Sequence, residues 1–410
     1  MITPTSQANR PLALLPYHTR LIAFLKRHDP DLWRWFASAK QRAIQAEEVR
    51  FDLLKSAYRI DRESQRELYQ LADEVVGTLQ LSAPITIYQA QNPAGLNASL
   101  VYLPDEIHLV MHGPIARQLT GRELRGLLGH ELAHYLLWHD WNGDLLTAAD
   151  MLVAFTKDSR AHPAHFATWR LLRLYNEIVC DRGALLVAGD VRDVISMLVK
   201  VETGVEEIDP DRYLRQADEI CARGPTTTQG ISHPEAFIRA RAIKLWADAD
   251  QGADTKITAM IETAGELGEL DLLSQEVFAG WTRRVIDQLL AHKWFQTETN
   301  LAHARLYFED YTPPEAAISD STLASDIRLH RPSARDYFCF VLLDFVSSDR
   351  DLDEPTLAAA LSIAEQLGIK DRYVELARQE LRLRKNQLEK LDDRKLKVLE
   401  EADRAAAAAP

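Results

Sequence analysis

The pentapeptide HELAH, His130 to His134, limits the fold of this chain more than any other feature of its sequence. It lies in a helical, apolar stretch, and on a helix two residues four positions apart share one face. Both imidazoles could then reach one zinc ion, while Glu131 beside them could take a proton from metal-bound water. An amphipathic helix with two incidental histidines would give the same pentapeptide, so the motif alone leaves both interpretations open.

A catalytic zinc needs three protein ligands, so the third must come from another segment. NEIVCDRGALL offers Glu177 on a later predicted helix, and Asp181 lies one turn further along the same face. Glu177 would complete a set of two histidines and one glutamate, and Asp181 could hold a ligating imidazole through its free N–H. A Glu and an Asp at this spacing commonly lie on a solvated helix face. Because they follow an HExxH motif in this chain, we expect Glu177 and Asp181 to belong to the metal site instead.

The stretches ELRGLLGHELAHYLLWH and NEIVCDRGALL resemble the HtpX-like zinc endopeptidases, metallopeptidase family forty-eight. Further matches follow in the family's order from about residue 65 to residue 245, and the rest of the chain is not covered. The resemblance implies a gluzincin, a zinc metalloendopeptidase that hydrolyses peptide bonds of protein substrates. It also implies a Zn²⁺ cofactor and a zinc-activated water with Glu131 as its general base.

The same resemblance implies functional residues outside the zinc motif. His233 or Arg239 would stabilise the oxyanion that forms during peptide hydrolysis. His233 could instead only close a loop, with Pro234 in the first turn of the next helix. Asn97 and Ala98 are expected to bind substrate. Many family members are membrane-embedded or exported, and this sequence shows neither feature.

Composition excludes several classes of protein. The formal net charge of −13 argues against binding nucleic acid or an anionic membrane, because both need concentrated Lys and Arg. The chain has no run of about 18 apolar residues and no basic, apolar leader, so neither membrane insertion nor secretion is predicted. Three scattered cysteines are too few for a disulfide framework, and we expect a cytoplasmic location.

Hydrophobic periodicity predicts a mainly α (α+β) fold with a small β-sheet. The resemblance implies that this sheet belongs to a gluzincin-type core, which helical N- and C-terminal regions flank. Strands are predicted for PITIYQAQ, ASLVYLP and EIHLVMH, and the last should offer a free edge to an extended peptide. The zinc helix should begin after Thr120, with Glu123 completing a capping box. The predicted domains are a helical segment at 1–72, the peptidase at 73–250 and a helical domain at 251–410.

The C-terminal third carries an acidic stretch that fails as a calcium loop. Asp349, Asp351 and Asp353 alternate as required, but Glu354 replaces the needed Gly and Ala360 replaces the bidentate Glu. The region around 320–385 resembles the TerB-like helical module, and a generic helical hairpin fits nearly as well. Either interpretation predicts a region that binds a regulatory protein partner. The final segment, 371–409, reads as one charged, solvated or partner-facing helix.

Two other functions remain open from the sequence. The zinc site could be silent, in a helical scaffold that acts mainly through protein–protein interaction. A zinc hydrolase acting on a non-peptide amide is the third alternative. Cys180, between the third ligand and Asp181, is expected to be a buried structural thiol.

Overall fold

The computed structural model describes residues 12–91, 95–224, 226–262, 267–315, 322–328, 332–349 and 351–408. The chain divides into two compact units, Met1–Thr263 and Ala264–Pro410. The described residues are mostly helical and include one four-stranded mixed sheet, which confirms the predicted mainly α class with a small sheet. The gluzincin-type core stays a prediction. The finer division at residues 72 and 250 stays a prediction. No described helix is both long and apolar enough to cross a lipid bilayer.

The first unit contains twelve α-helices and four strands among its described residues. In chain order they are α1 (Pro16–His28), α2 (Pro30–Phe36), α3 (Ala39–Ser56), β1 (Ala57–Arg59), α4 (Arg66–Thr78), β2 (Ile85–Ala90), β3 (Asn97–Leu103), β4 (Glu106–His112), α5 (Ile115–Gln118), α6 (Gly121–His139), α7 (Asp144–Lys157), α8 (Pro163–Ala188), α9 (Val191–Thr203), α10 (Pro210–Ala222), α11 (Ala236–Ala247) and α12 (Ala253–Ile261).

The sheet has the strand order β1-β2-β4-β3. The β2–β4 pair is parallel, and the β1–β2 and β3–β4 pairs are antiparallel. The expectation that EIHLVMH (β4) offers a free edge is wrong. β4 pairs with β2 on one side and with β3 on the other, so both of its sides are occupied. The edge strand beside α6 is β3. Three predicted strands are confirmed, whereas the three-residue β1 was hidden in a helical pattern.

The zinc-motif helix α6 begins where the sequence predicts. Thr120 Oγ1 accepts a hydrogen bond from Glu123 N at 3.4 Å, and Glu123 Oε2 accepts one from Thr120 N at 2.8 Å. The buried Glu123 carboxylate also accepts hydrogen bonds from Ser196 Oγ and, at 2.9 Å, from Lys200 Nζ on α9. The capping box therefore also fixes α9 against the start of α6.

Two glycines let α6 and α8 approach until their backbones touch. A Cβ atom added to Gly129 would lie 2.1 Å from Val187 Cγ2 and 3.0 Å from the carbonyl oxygen of Gly183. A Cβ atom on Gly183 would lie 2.5 Å from Ala133 Cβ. These distances are below van der Waals contact, so larger residues would force the helices apart. The glycine contact lies beside the HExxH segment of α6 and follows Glu177 on α8.

The second unit packs its helices around its own apolar core. Its helices are α13 (Leu272–Leu289), α14 (Glu298–Tyr307), α15 (Leu323–Arg328), α16 (Pro332–Ser348), α17 (Asp353–Gln366), α18 (Lys370–Glu380) and α19 (Lys385–Ala408). The TerB-like interpretation is not shown by this packing, and residues 316–321, 329–331 and 350 of the region lie outside the described residues.

The single charged helix predicted for 371–409 is wrong. Residues 381–384 separate α18 from α19, and Arg382 there adopts a φ of 55°. Helix α19 also buries Leu388, Leu391 and Leu399 in the core of the second unit. Leucines at helical spacing supply an apolar stripe that the surrounding charges concealed in the sequence.

The glycine contact predicts that adding one methyl group destabilises the protein at Gly129 but not at a nearby glycine of the same helix. We expect Gly129→Ala to lower the free energy of unfolding by about 1–3 kcal/mol, because the added Cβ overpacks the α6–α8 interface. Gly126→Ala on the same helix is the matched control, since its Cβ would meet Ala188 Cβ at an ordinary 3.7 Å. Urea unfolding monitored by circular dichroism measures both. Equal stabilities for the two variants would contradict the close contact.

Candidate metal centre

Three side chains from α6 and α8 form a group that could hold a metal ion. One ligand atom from each of His130, His134 and Glu177 lies within 4.8 Å of the others. His130 Nε2 is 3.3 Å from Glu177 Oε2, and His134 Nε2 is 3.5 Å from Glu177 Oε1. A tetrahedral zinc with bonds of about 2.0–2.1 Å holds its ligand atoms about 3.3 Å apart. The spacing of this group therefore fits zinc.

The hydrogen bonding of Glu177 supports the same fit. Its carboxylate is buried, and Oε2 receives no well-aligned hydrogen bond from any described residue. A buried carboxylate oxygen without a hydrogen-bond donor is costly unless a cation completes its environment. Two imidazoles and one carboxylate are also a common ligand set of catalytic zinc.

Asp181 and Arg239 orient the first histidine. His130 Nδ1 lies 3.0 Å from Asp181 Oδ1, and because a carboxylate only accepts, Nδ1 carries a proton, while Nε2 faces Glu177. The Arg239 guanidinium donates to both oxygens of Asp181, at 2.9 and 2.6 Å. Burial raises the pKa of Asp181, but the Arg239 charge and hydrogen bonds outweigh it and hold that pKa below its usual range.

The two histidines of the group have opposite pKa shifts. Burial lowers the pKa of His130, but the hydrogen bond to Asp181 and the nearby carboxylate of Glu177 outweigh burial and raise it to about 10. Burial lowers the pKa of His134 to about 4, so its imidazole is neutral at pH 7. Burial raises the pKa of Glu177, yet the proximity and charge of His130 outweigh burial and leave Glu177 ionised.

Glu131 is buried in the same cavity and points to the sheet side of the group. Burial raises its pKa to about 7, against the opposing charge of His130. The nearby backbone of Leu100 on β3 opposes that rise. A carboxylate with a pKa near neutral pH suits a group that both accepts and returns a proton.

His233 lies on the loop before α11 and reaches the group from the solvent side. Its side chain is 50% exposed, and its Nε2 is 3.4 Å from Glu177 Oε1. Burial of the inner part of the ring lowers its pKa. The sequence left His233 and Arg239 as alternatives for stabilising the oxyanion. Since Arg239 is already bound to Asp181, the half-exposed His233 is the better placed of the two to donate to a substrate.

A set of hydrogen bonds holds the His233 loop in place. Arg170 on α8 donates from Nε to the Gly230 carbonyl and from a terminal nitrogen to the Thr228 carbonyl, both at 2.8 Å. Glu235 accepts from Thr228 Oγ1 at 2.7 Å and from the Gln229 backbone N–H at 2.9 Å. The loop therefore has one well-defined path, which fixes the position of His233.

These anchors were missed from the sequence, although a signal existed. Arg170 precedes Glu177 by seven residues, two helical turns, and so shares a face of α8 with it. Glu235 follows His233 by two residues. Cys180 is fully buried with its pKa raised by burial, in keeping with the expected structural thiol.

A cavity of about 500 Å³ joins these residues to the sheet. Its walls include His130, Glu131, His134, His233 and Arg239, and residues 97–100 of the edge strand β3. Asn97 and Ala98, expected to bind substrate, thus lie in the same cavity as the metal group. The Asn97 side-chain oxygen accepts a hydrogen bond from the Ala98 backbone N–H at 2.9 Å.

Two known proteins are similar to part of this chain. The plastoglobule-localized metallopeptidase 48, chloroplastic, of Arabidopsis thaliana is 32% identical over 200 residues, 44% of this chain and 57% of the plant protein. A protease HtpX homolog of an Arthrobacter species is 25% identical over 225 residues, 47% of this chain and 76% of that protein. No family model matches the chain. No solved structure matches it.

Both relatives are named as peptidases, so this chain is similar at modest identity to a metallopeptidase 48 and to an HtpX-type protease. The similarity covers less than half of this chain, and the chain spans little more than half of the plant relative. The name metallopeptidase implies a metal cofactor for the plant relative, and the His130–His134–Glu177 group of this chain could hold a metal ion.

Metal content tests the ligand assignment. We expect about one zinc per chain in the native protein, and loss or strong weakening in His134→Ala and Glu177→Ala, because each removes one of three ligands. Asp181→Ala should bind zinc about 10- to 100-fold more weakly, since His130 loses its orienting carboxylate.

His139→Ala is the control for the metal measurement, because His139 lies on the same helix and stacks on Tyr135 instead of facing the group. Native mass spectrometry with zinc titration gives both stoichiometry and affinity. Undiminished zinc in Glu177→Ala would exclude Glu177 as a ligand.

Proposed function

We propose that this protein is a zinc-dependent metalloendopeptidase that hydrolyses peptide bonds of protein substrates. The observation that carries the proposal is one cavity lined by both histidines of the His-His-Glu group, by the buried Glu131 with its near-neutral pKa, and by an edge strand of the sheet. Its support from known proteins is the similarity to two named peptidases. The roles of individual residues below belong to the same proposal.

His130, His134 and Glu177 would hold the zinc. When bound there, zinc supplies Lewis acidity that polarises a peptide carbonyl and lowers the pKa of water. Glu131 acts as general base, takes the proton from the attacking water and later returns it to the leaving amine. The buried position of Glu131 keeps both protonation states within reach near neutral pH.

The edge strand β3 would align the substrate. An extended peptide can pair with the unoccupied side of a strand through backbone hydrogen bonds, which recognises a chain without demanding a sequence. Asn97 and Ala98 at the start of β3 would contact that peptide. His233 would donate to the developing oxyanion from the solvent side, while Arg239 keeps Asp181 and His130 oriented.

The remaining expectations stay proposals. A cytoplasmic location and the lack of nucleic-acid partners follow from composition, and binding of a regulatory partner is proposed for the second unit. If the protein binds zinc and partner proteins but cleaves no protein, it is the silent scaffold. Cleavage of small amides but not casein would instead favour a non-peptide amidase.

Removal of the base should separate metal binding from catalysis. We expect Glu131→Gln to keep its zinc and lose casein cleavage by a factor of about 10² or more, because the amide cannot accept a proton. Cleavage rates are compared at equal zinc content, measured by mass spectrometry. A native rate in Glu131→Gln would exclude this mechanism.

The hydrogen bonds from Arg170 to the His233 loop predict that a change at Arg170 lowers the rate of catalysis. His233→Ala should lower kcat by about 10²-fold, the cost of one oxyanion donor, with little change in KM. Arg170→Ala should lower kcat by a smaller factor at unchanged zinc content, because it releases the carbonyls of Thr228 and Gly230 that hold the loop.

The double variant tells positioning from general damage. Arg170→Ala should cost nothing further in a His233→Ala background, because no His233 is left to position. Arg160→Ala, which loses an exposed pair with Asp158, is the control. Independent, additive losses from Arg170→Ala and His233→Ala would refute the positioning role.

A further inference from the structure

One carboxylate in the cavity has no part in the proposed chemistry. Glu202, near the end of α9, lines the same cavity as His130, Glu131 and His134. Its side chain is exposed and makes no ion pair or hydrogen bond with the residues that the structure describes. It is therefore a negative charge placed in the cleft without a cation.

The other ionisable side chains of the cavity are already engaged. Arg239 is bound to Asp181, His233 lies 3.4 Å from Glu177, and Glu131 is buried beside His130. Among the described lining residues, the carboxylate of Glu202 is the one left for a ligand.

The helix gives Glu202 no electrostatic support. It is the residue before Thr203, which ends α9, and a negative charge in the last turn of a helix opposes the helix dipole. Lys200 in the same turn is buried against Glu123 and cannot neutralise it. A cation from outside the chain would relieve this unfavourable position.

The wall beside Glu202 is apolar. Leu198 and Val201 lie about one turn or less before Glu202 on α9, and Leu127 of α6 and Leu96 before β3 line the same cavity. An aliphatic wall that ends in a carboxylate suits a side chain with a methylene stem and a cationic head. Lysine and arginine have this form, and they commonly lay their stems along apolar surface while the head stays in water.

We infer that Glu202 and the apolar wall of α9 form a subsite for a lysine or arginine side chain of the substrate. This inference rests on the proposed function for the presence of a peptide in the cleft. It adds a substrate class: protein segments with a basic residue close to the bond that is cleaved. The subsite holds a side chain and takes no part in bond cleavage.

Peptide binding tests the subsite without cleavage. Zinc-loaded Glu131→Gln protein is titrated with a positional library of octapeptides in which one position at a time is Lys, norleucine or Glu. Norleucine keeps the stem and removes the charge. At one position we expect Lys to bind about two- to fivefold tighter than norleucine, as for an exposed ion pair, and Glu to bind more weakly.

Charge reversal supplies the decisive variant. Adding Glu202→Lys should invert the order at that position, so that the Glu peptides bind tighter than the Lys peptides. Glu219→Lys, an exposed glutamate outside the cavity, makes the same change in net charge and should leave the order intact. High salt should shrink the Lys preference.

The outcomes separate the two proposals. Charge-selective binding that depends on Glu202 upholds the subsite even if native protein cleaves no peptide, in which case only the proposed function falls. Active protein whose Lys, norleucine and Glu peptides bind or cleave alike, or whose preference survives Glu202→Lys, overturns the subsite and leaves the peptidase proposal standing.

Discussion

The close contact between α6 and α8 is the constraint on which the candidate site depends. Gly129 and Gly183 let the two backbones meet, with 3.0 Å between a Cβ built on Gly129 and the Gly183 carbonyl oxygen. His130 directly follows Gly129, and Glu177 lies less than two turns before Gly183. A wider crossing would leave two histidines on one helix and a glutamate out of reach on another. Because these two glycines have no side chains, the helices come close enough to bring the three candidate ligands together.

Electrostatics then keeps the group assembled in a buried environment. Burial alone would drive the carboxylates toward their neutral forms, yet Asp181 stays ionised because Arg239 donates to both of its oxygens. Asp181 in turn orients His130. Among the described residues Glu131 lacks such a cationic partner at hydrogen-bonding distance, and its pKa rises to about 7. Neighbouring carboxylates therefore have different protonation behaviour because only one of them is paired with arginine.

Much of the site was predictable because helical spacing is regular. The four-residue step from His130 to His134, and from Glu177 to Asp181, places each pair on one face of its helix whatever the tertiary contacts are. The capping box at Thr120 was legible for the same reason. The identity of the edge strand was not predictable, because strand order depends on pairing between strands that are separated in sequence, such as β2 and β4. The Arg170 contacts to the His233 loop were also hidden, since they join residues about 60 positions apart.

X-ray absorption at the zinc edge of the zinc-loaded protein tests most directly whether the α6–α8 crossing forms the metal centre. The structure predicts a first shell of nitrogen and oxygen at about 2.0–2.1 Å, with the outer scattering of two imidazole rings. Glu177→Ala should weaken zinc binding without changing the imidazole signal of any residual metal. A sulfur ligand at about 2.3 Å would place Cys180 in the site, and a shell without imidazole would contradict the assignment of His130 and His134.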